Sequence, residues 1–285
     1  MQHVKDGLTG TDVVIVPKRQ DRPNRPNERC PFCPGGLEAP NDYEVMSFSN
    51  RWPSLGEGNC EVVLYSPKHG ESMSGLEVGQ IEKVIRLWID RTAQLGSRED
   101  VSYVLIFENR GADVGATIDH PHGQIYAFKE VPPTCMEELA QNEAVCYLCE
   151  DSVEELIVET NSSWNSEVPN GPTWPFEVVV YPRSHLGNIT NITEEYIVDF
   201  AKILKSTLLR FDRIFNAEMP YMMWIHQAPF DGLVWPGAHL HLHLAGLWRG
   251  KSIPRFVAAG ELGSGVMFNP IDPFDAATRL RGVSL

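Results

Sequence analysis

ERCPFCPGG at residues 28–36 and AVCYLCEDS at residues 144–152 each hold a CxxC pair, Cys30/Cys33 and Cys146/Cys149, set apart by an offset of 116. The offset recurs. EVVLY at 61–65 returns as EVVVY at 177–181, and four residues past each tyrosine stands a histidine, His69 and His185. Each histidine thus follows the second cysteine of its own half by 36 residues. Further on, FENRG from Phe107 aligns with WIHQA from Trp224 at an offset of 117, and His120-Pro-His122-Gly-Gln124 aligns with His239-Leu-His241-Leu-His243 at 119. Six cysteines scattered at random give on the order of 0.1 CxxC pairs over such a length. Two pairs with matched histidines point to an internal duplication, with residues 1–135 as one half and 136–285 as the other.

The elements around the repeat are short. Residues 61–65, 103–107, 124–128 and 177–181 are rich in β-branched and aromatic side chains and read as strands. Residues 78–95 and 193–215 place apolar side chains at helical spacing, with Thr193 as N-cap and Glu194 and Glu195 in the first turn, where carboxylates suit the helix dipole. Each half is then a sheet with a long helix between strands, an α+β arrangement. The Pro/Asn-rich residues 21–27 and residues 161–175 read as irregular stretches.

The totals narrow the partners. With 42% apolar residues in 285, the chain has ample material for a core. Thirty-eight acidic against 24 basic side chains give a net charge of −14, a field that repels nucleic-acid backbones. No stretch of 18 apolar residues suggests a membrane span, and the first residues lack the apolar run of a secretory signal, so a cytoplasmic location is expected. Cysteines paired as CxxC in such a chain suit metal ligation better than disulfides.

Zinc takes thiolate and imidazole ligands in a tetrahedron, and a CxxC turn brings two sulfurs to one ion. Cys30, Cys33, His69 and His120 complete one such set, and Cys146, Cys149, His185 and His239 the equivalent one. Neither leaves a position for water, so both are expected to be structural. Cys60 and Cys135 have no such company.

On a strand, His120, His122 and Gln124 project to one face. With His120 bound to metal, His122 is held rigidly beside it, and a neutral imidazole is a competent nucleophile toward phosphorus. Gln124 can donate to phosphoryl oxygens without acting as a base. Upstream, NRGADVGATID at 109–119 offers Gly111, Gly115 and Thr117 as a backbone and hydroxyl cradle for a phosphate.

The segment at 107–128, FENRGADVGATIDHPHGQIYAF, resembles the active-site segment of galactose-1-phosphate uridylyltransferases, a branch of the histidine-triad superfamily. CPFC, SPKH at 66–69, WPFE at 174–177 and HQAPF at 226–230 extend the likeness over most of the chain. The resemblance implies two histidine-triad-like halves in tandem, with an antiparallel sheet flanked by helices. It implies His122 as the nucleotidylated residue, Gln124 and Thr117 on the phosphates, Asn50 and Asn109 on the nucleotide side, and a homodimer in which Arg19 and Arg22 reach the neighbour's nucleotide. Near the C-terminal end, Arg255, Gly260 and Met267 stand where the family has a sugar-phosphate lysine, tyrosine and glutamine, while Glu261 is retained. The family's second metal site, iron or zinc, is built from histidines matching His226, His241 and His243 plus a carboxylate. The Cys146/Cys149 set is instead similar to the two-zinc pattern of ADP-glucose phosphorylases, so two ligand sets compete for one second site.

The expected activity is a ping-pong exchange of a nucleoside monophosphate between a nucleotide sugar and a sugar 1-phosphate, first of all UDP-glucose and galactose 1-phosphate. An ADP-glucose phosphorylase-like adenylyltransferase and a histidine-triad nucleotide hydrolase using His241 are the alternatives.

Overall fold

The computed structural model describes residues 1–21, 29–150 and 153–285 of the chain. A hairpin of β1 (Gln2–Lys5) and β2 (Asp12–Ile15) precedes the main body. There β3 (Met46–Ser49), β4 (Cys60–Leu64), β5 (Tyr103–Arg110) and β6 (His122–Phe128) belong to the first half. The second half supplies β7 (Ile157–Thr160), β8 (Trp164–Glu167), β9 (Phe176–Pro182), β10 (Tyr221–His226) and β11 (His241–Gly246), followed by the small pair β12 (Trp248–Gly250) and β13 (Ile253–Pro254). The helices are α1 (Val78–Gly96), α2 (Pro133–Gln141), α3 (Tyr147–Glu150), α4 (Glu194–Arg213), α5 (Ala259–Ser264) and α6 (Pro273–Arg281).

Both halves share one antiparallel sheet of nine strands, in the order β3-β4-β6-β5-β10-β11-β9-β8-β7. Its middle is the β5/β10 pair, where Phe107 faces Trp224, Ile106 faces Ile225 and Glu108 faces Met223. Phe107 and Trp224 are the residues that the repeat makes equivalent, so a pseudo-two-fold axis passes between them. The duplication is therefore a single sheet joined at its symmetry axis, not two sheets. Residues 135 and 136 both lie within α2.

Helices α1 and α4 pack on one another and on one face of the sheet. Their apolar stripes recur every three or four residues, as Ile81, Val84, Ile85, Trp88 and Leu95 in α1 and Ile197, Phe200, Leu204, Leu208 and Phe211 in α4, all buried. Thr193 stands at the N-cap of α4, but its side chain makes no capping hydrogen bond. Strand alternation sends Val104, Ile106, Ile125, Val178 and Val180 into this core. The opposite face carries His122, Gln124, Phe107 and Asn109.

Two expectations are corrected. Residues 161–175 are not wholly irregular, because β8 lies inside them. Its sequence WNSE is polar, yet Trp164 is fully buried, stacks on Phe200 with ring centroids 4.2 Å apart, and donates its indole N–H to the Tyr196 carbonyl at 2.9 Å. The EVVLY/EVVVY match is also one residue out of spatial register. Val62 faces Gln124, whereas it is Val179 that faces His243. A one-residue slip exchanges the faces of a strand. Tyr65 accordingly enters the helix-covered core, its ring 5.9 Å from that of Trp88, while Tyr181 turns to the other face, 5.9 Å from the ring of His239.

Trp164→Ala removes a large buried ring and is expected to cost about 3–5 kcal/mol of stability. A denaturant midpoint that barely moves would contradict the placement of β8 in the core.

Candidate active site and metal centres

His120 ends the loop before β6, and its ring is fixed from both sides. Nε2 bonds the Ser66 carbonyl at 2.8 Å and the Tyr43 hydroxyl at 2.8 Å, which leaves Nδ1 toward the sulfurs of Cys30 and Cys33, each at 3.8 Å. His69 completes the group, and all four donor atoms lie within 4.8 Å of one another. An ion bonded tetrahedrally to sulfur at about 2.3 Å and nitrogen at about 2.0–2.1 Å separates S from N by about 3.6 Å. The donor set fits such an ion. Burial pushes the Cys33 thiol up, and the neighbouring Cys30 adds to the effect, so two thiolates side by side call for a cation between them. Burial also lowers His120 to about 4, which keeps the imidazole neutral as a ligand must be.

The second half repeats this construction. His239 Nε2 bonds the Pro182 carbonyl at 2.9 Å, and its Nδ1 stands 3.3 Å from the Cys146 sulfur and 3.5 Å from that of Cys149. Cys149 is in turn 3.3 Å from His185 Nδ1. Burial and the neighbouring Cys146 raise the Cys149 thiol to about 11.

A third group lies beside it, made by Glu138, His226, His241 and His243. Glu138 Oε2 meets His226 Nδ1 at 2.7 Å, its Oε1 meets His241 Nε2 at 3.1 Å, and His241 Nε2 lies 3.0 Å from His243 Nε2. Burial alone would raise the Glu138 carboxyl, but His241 and His226 outweigh it and hold the carboxyl well below the usual range. Glu177 lies behind His243, its Oε1 3.7 Å from Nδ1. Where one second site was expected, the second half brings together two donor groups that could each hold an ion. The cysteine set and the histidine set share no residue, and both are assembled. Cys60 and Cys135 are buried and belong to none of the three groups.

His122 is the first residue of β6 and lies beside a cleft of about 320 Å³, whose wall also includes Asn109, Arg110, Gly111 and Asp119. Its Nδ1 is 2.7 Å from the carbonyl of His120. A carbonyl can only accept, so Nδ1 carries the proton and the lone pair sits on Nε2. Phe32 from the CPFC turn packs edge-on against the ring at 5.1 Å. Two residues on, Gln124 Oε1 accepts from Asn50 Nδ2 at 3.1 Å, which fixes the Gln124 amide with its N–H groups directed away from Asn50. Gly111 (φ 97°) and Gly115 (φ 83°) flank the short turn Ala112–Val114 in conformations that disfavour other residues, so the loop presents its backbone before His122. Thr117 lies on the same loop.

The remaining candidates sit farther off. Arg19 donates to the Trp52 carbonyl at 3.1 Å and to the Ser54 hydroxyl, whose oxygen is 3.0 Å from that of Tyr126, so its guanidinium is anchored within its own chain. Arg22 lies outside the described residues. Arg255 and Glu261 are buried against each other, Arg255 lies 4.7 Å over the Trp174 ring, and Glu261 accepts from the backbone of Ala258 and Phe268. Neither lines the cleft beside His122.

The family description "Galactose-1-phosphate uridyl transferase, N-terminal domain" matches residues 51–132 and its C-terminal counterpart residues 134–261. The chain belongs to the galactose-1-phosphate uridylyltransferase family. A galactose-1-phosphate uridylyltransferase of Thermotoga maritima is 35% identical over 96% of both chains. An ADP-glucose phosphorylase of Arabidopsis thaliana is 27% identical over 99% of this chain and 92% of its own. Among solved structures, a uridylyltransferase superposes with a TM-score of 0.91 at 30% identity, covering 99% of this chain and 98% of that one.

Sequence reasoning missed Glu138. It sits on α2 in an unremarkable acidic run, and only the alignment of the third histidine set with a missing carboxylate could have prompted a search. Within this family of folds, the two cysteine sets and the histidine set are expected to load independently. Cys149→Ser should lose one bound metal and His226→Ala a different one, as read by metal analysis of each variant. Loss of the same single ion in both would show that the second half holds one site only.

Proposed function

We propose that this chain transfers uridylyl groups between UDP-glucose and galactose 1-phosphate through a covalent intermediate on His122. The observation that carries the reading is the hydrogen bond from His122 Nδ1–H to the His120 carbonyl, which presents Nε2 as the nucleophile. In the first step Nε2 attacks the α-phosphorus, an N–P bond forms, and the P–O bond to glucose 1-phosphate breaks with its electron pair leaving on oxygen. The imidazole gains positive charge as it does so, and the carbonyl on Nδ1 offsets it. In the second step a phosphate oxygen of galactose 1-phosphate attacks, the N–P pair returns to Nε2, and no net proton moves. Gln124 donates to the phosphoryl oxygens, with the backbone of residues 111–117 beside it. Because an amide is no general base, water is poorly activated and the intermediate persists without an acceptor.

Asn50 and Asn109 are assigned to the nucleotide side and Arg255 and Glu261 to the sugar phosphate. We assign residues 1–135 and 136–285 as the duplicated units. Zinc suits the two cysteine–histidine groups, and zinc or iron the Glu138 group; bound there, each metal staples loop to sheet. Cysteines free of disulfide links suit a reducing, cytoplasmic compartment. A second copy of the chain is the expected cover for the exposed Phe256, Leu262, Val266 and Phe268, in a homodimer that brings Arg19 and Arg22 toward the neighbour's nucleotide.

Hydrolysis through His241 is disfavoured, because its Nε2 is engaged by Glu138 and His243, whereas the positions equivalent to His226 and His243 are filled beside His122 by the amides Asn109 and Gln124. The base is tested directly. After incubation with base-labelled UDP-glucose or ADP-glucose and an alkaline quench, label from UDP-glucose should remain on the peptide containing His122 and be absent from His122→Ala. Label from ADP-glucose alone would make the chain an adenylyltransferase, and label on a His241 peptide would move the nucleophile to the other half.

A further inference from the structure

Beneath the strand that carries His122 lies a carboxyl that folding does not call for. Glu108 on β5 points into the helix-covered side of the sheet and is buried, yet it also contributes to the wall of the cleft beside His122. Tyr221 from β10 donates its hydroxyl to Glu108 Oε1 at 2.6 Å. Glu108 Oε2 and the Tyr65 hydroxyl are both sealed from solvent and have no hydrogen-bond partner at bonding distance, and they face one another. Arg110 lies over the Tyr221 ring at 4.4 Å but is engaged by Asp212 of α4, which also accepts from Ser74 at 2.6 Å. Trp88 of α1 packs on Tyr65. The charged neighbours are thus already paired with each other, and an ionised Glu108 would be a poorly compensated buried charge.

The second half shows what the fold itself requires at this place. The repeat makes Ile225 the equivalent of Glu108, and Ile225 is an ordinary buried core residue. Val104 stands where the second half has Tyr221. The carboxyl therefore occurs only in the half that holds His122, and the tyrosine that donates to it reaches across from β10 of the other half.

The network also touches the strand that matters. A Cβ on Gly123 would lie 2.0 Å from the Tyr65 hydroxyl, so this oxygen packs directly under the backbone between His122 and Gln124. We propose that Glu108 is a positioning residue for transfer at His122: as a neutral acid it packs in the sealed space between Tyr65 and Tyr221 under Gly123, and on ionisation the buried charge draws in water and opens that packing. The proposal rests on the reading of His122 as nucleophile. Burial raises the Glu108 carboxyl to about 7, against the opposing hydrogen bond from Tyr221, so the change falls near neutral pH. Because the folded-state value is raised, the stability it contributes is present below about 4.5 and is lost as pH rises through about 7.

The test follows nucleotide incorporation on His122 from UDP-glucose, and hydrogen exchange of the peptide spanning β6 corrected for intrinsic rates, between pH 6 and pH 8. A single acid titrating near 7 should lower wild-type incorporation about tenfold over that range and raise β6 exchange in parallel. Glu108→Gln mimics the neutral acid and should abolish both pH dependences while retaining the pH 6 rate. An unchanged pH dependence in Glu108→Gln would overturn the proposal. Should that variant not fold, Tyr221→Phe decides, since loss of its hydrogen bond should move the transition to higher pH, and an unmoved transition overturns it. If no label reaches His122 at any pH, the reading of function falls, and the exchange measurement alone still decides whether Glu108 supports β6.

Discussion

The pairing of β5 with β10 is the contact on which the rest of the architecture depends. It aligns Phe107 with Trp224 at the pseudo-two-fold axis and joins the two halves through continuous backbone hydrogen bonds. On either side of that axis the same three positions of the open face recur, as Asn109, His122 and Gln124 in one half and His226, His241 and His243 in the other. The residues differ, and with them the chemistry. Three histidines with Glu138 make a group that could hold a metal ion, whereas in the other half one histidine stands between two amides. Separating these positions by even one residue along a strand would send their side chains into the core.

Within the first half, two histidines two residues apart divide the work. His120 is held by Ser66 and Tyr43 with Nδ1 toward two thiols, and its carbonyl in turn takes the proton-bearing nitrogen of His122. An ion held at His120 would therefore be linked to His122 through one side chain and one peptide unit. The second half keeps the same hydrogen bond, from His241 Nδ1 to the His239 carbonyl at 2.7 Å, but there the other nitrogen faces Glu138 and His243. The two histidines differ in what the neighbouring elements offer them, not in the strand.

Much of this is legible in the sequence because metal ligation and duplication leave fixed spacings. The CxxC pairs, the histidines 36 residues beyond them and the HxH pairs locate both cysteine–histidine groups, and their ligands do converge. A spacing of two along a strand is enough to put His122 and Gln124 on one face. Other features depend on three-dimensional pairing and carry no local signal. Glu138 is drawn to the histidines from α2, the polar run WNSE becomes a strand because Trp164 finds Phe200, and the register slip of β9 is invisible in the near-identity of EVVLY and EVVVY. Resemblance alone directs Arg19 toward a neighbouring subunit, whereas its hydrogen bonds to Ser54 and Trp52 depend on a fold that brings residues more than 30 positions apart into contact. The burial of Glu108 is likewise unreadable from FENRG alone; its contrast with Ile225 in the aligned repeat is the one trace of it.

The central claim is that a covalent bond to His122 lies between the two sugar phosphates, and its most direct test is the stereochemistry at the transferred phosphorus. Each in-line displacement inverts the centre. Transfer from UDP-glucose made chiral at the α-phosphorus should therefore give UDP-galactose with overall retention, the outcome of two displacements. Overall inversion would mean a single direct transfer between the sugar phosphates, and would contradict the account.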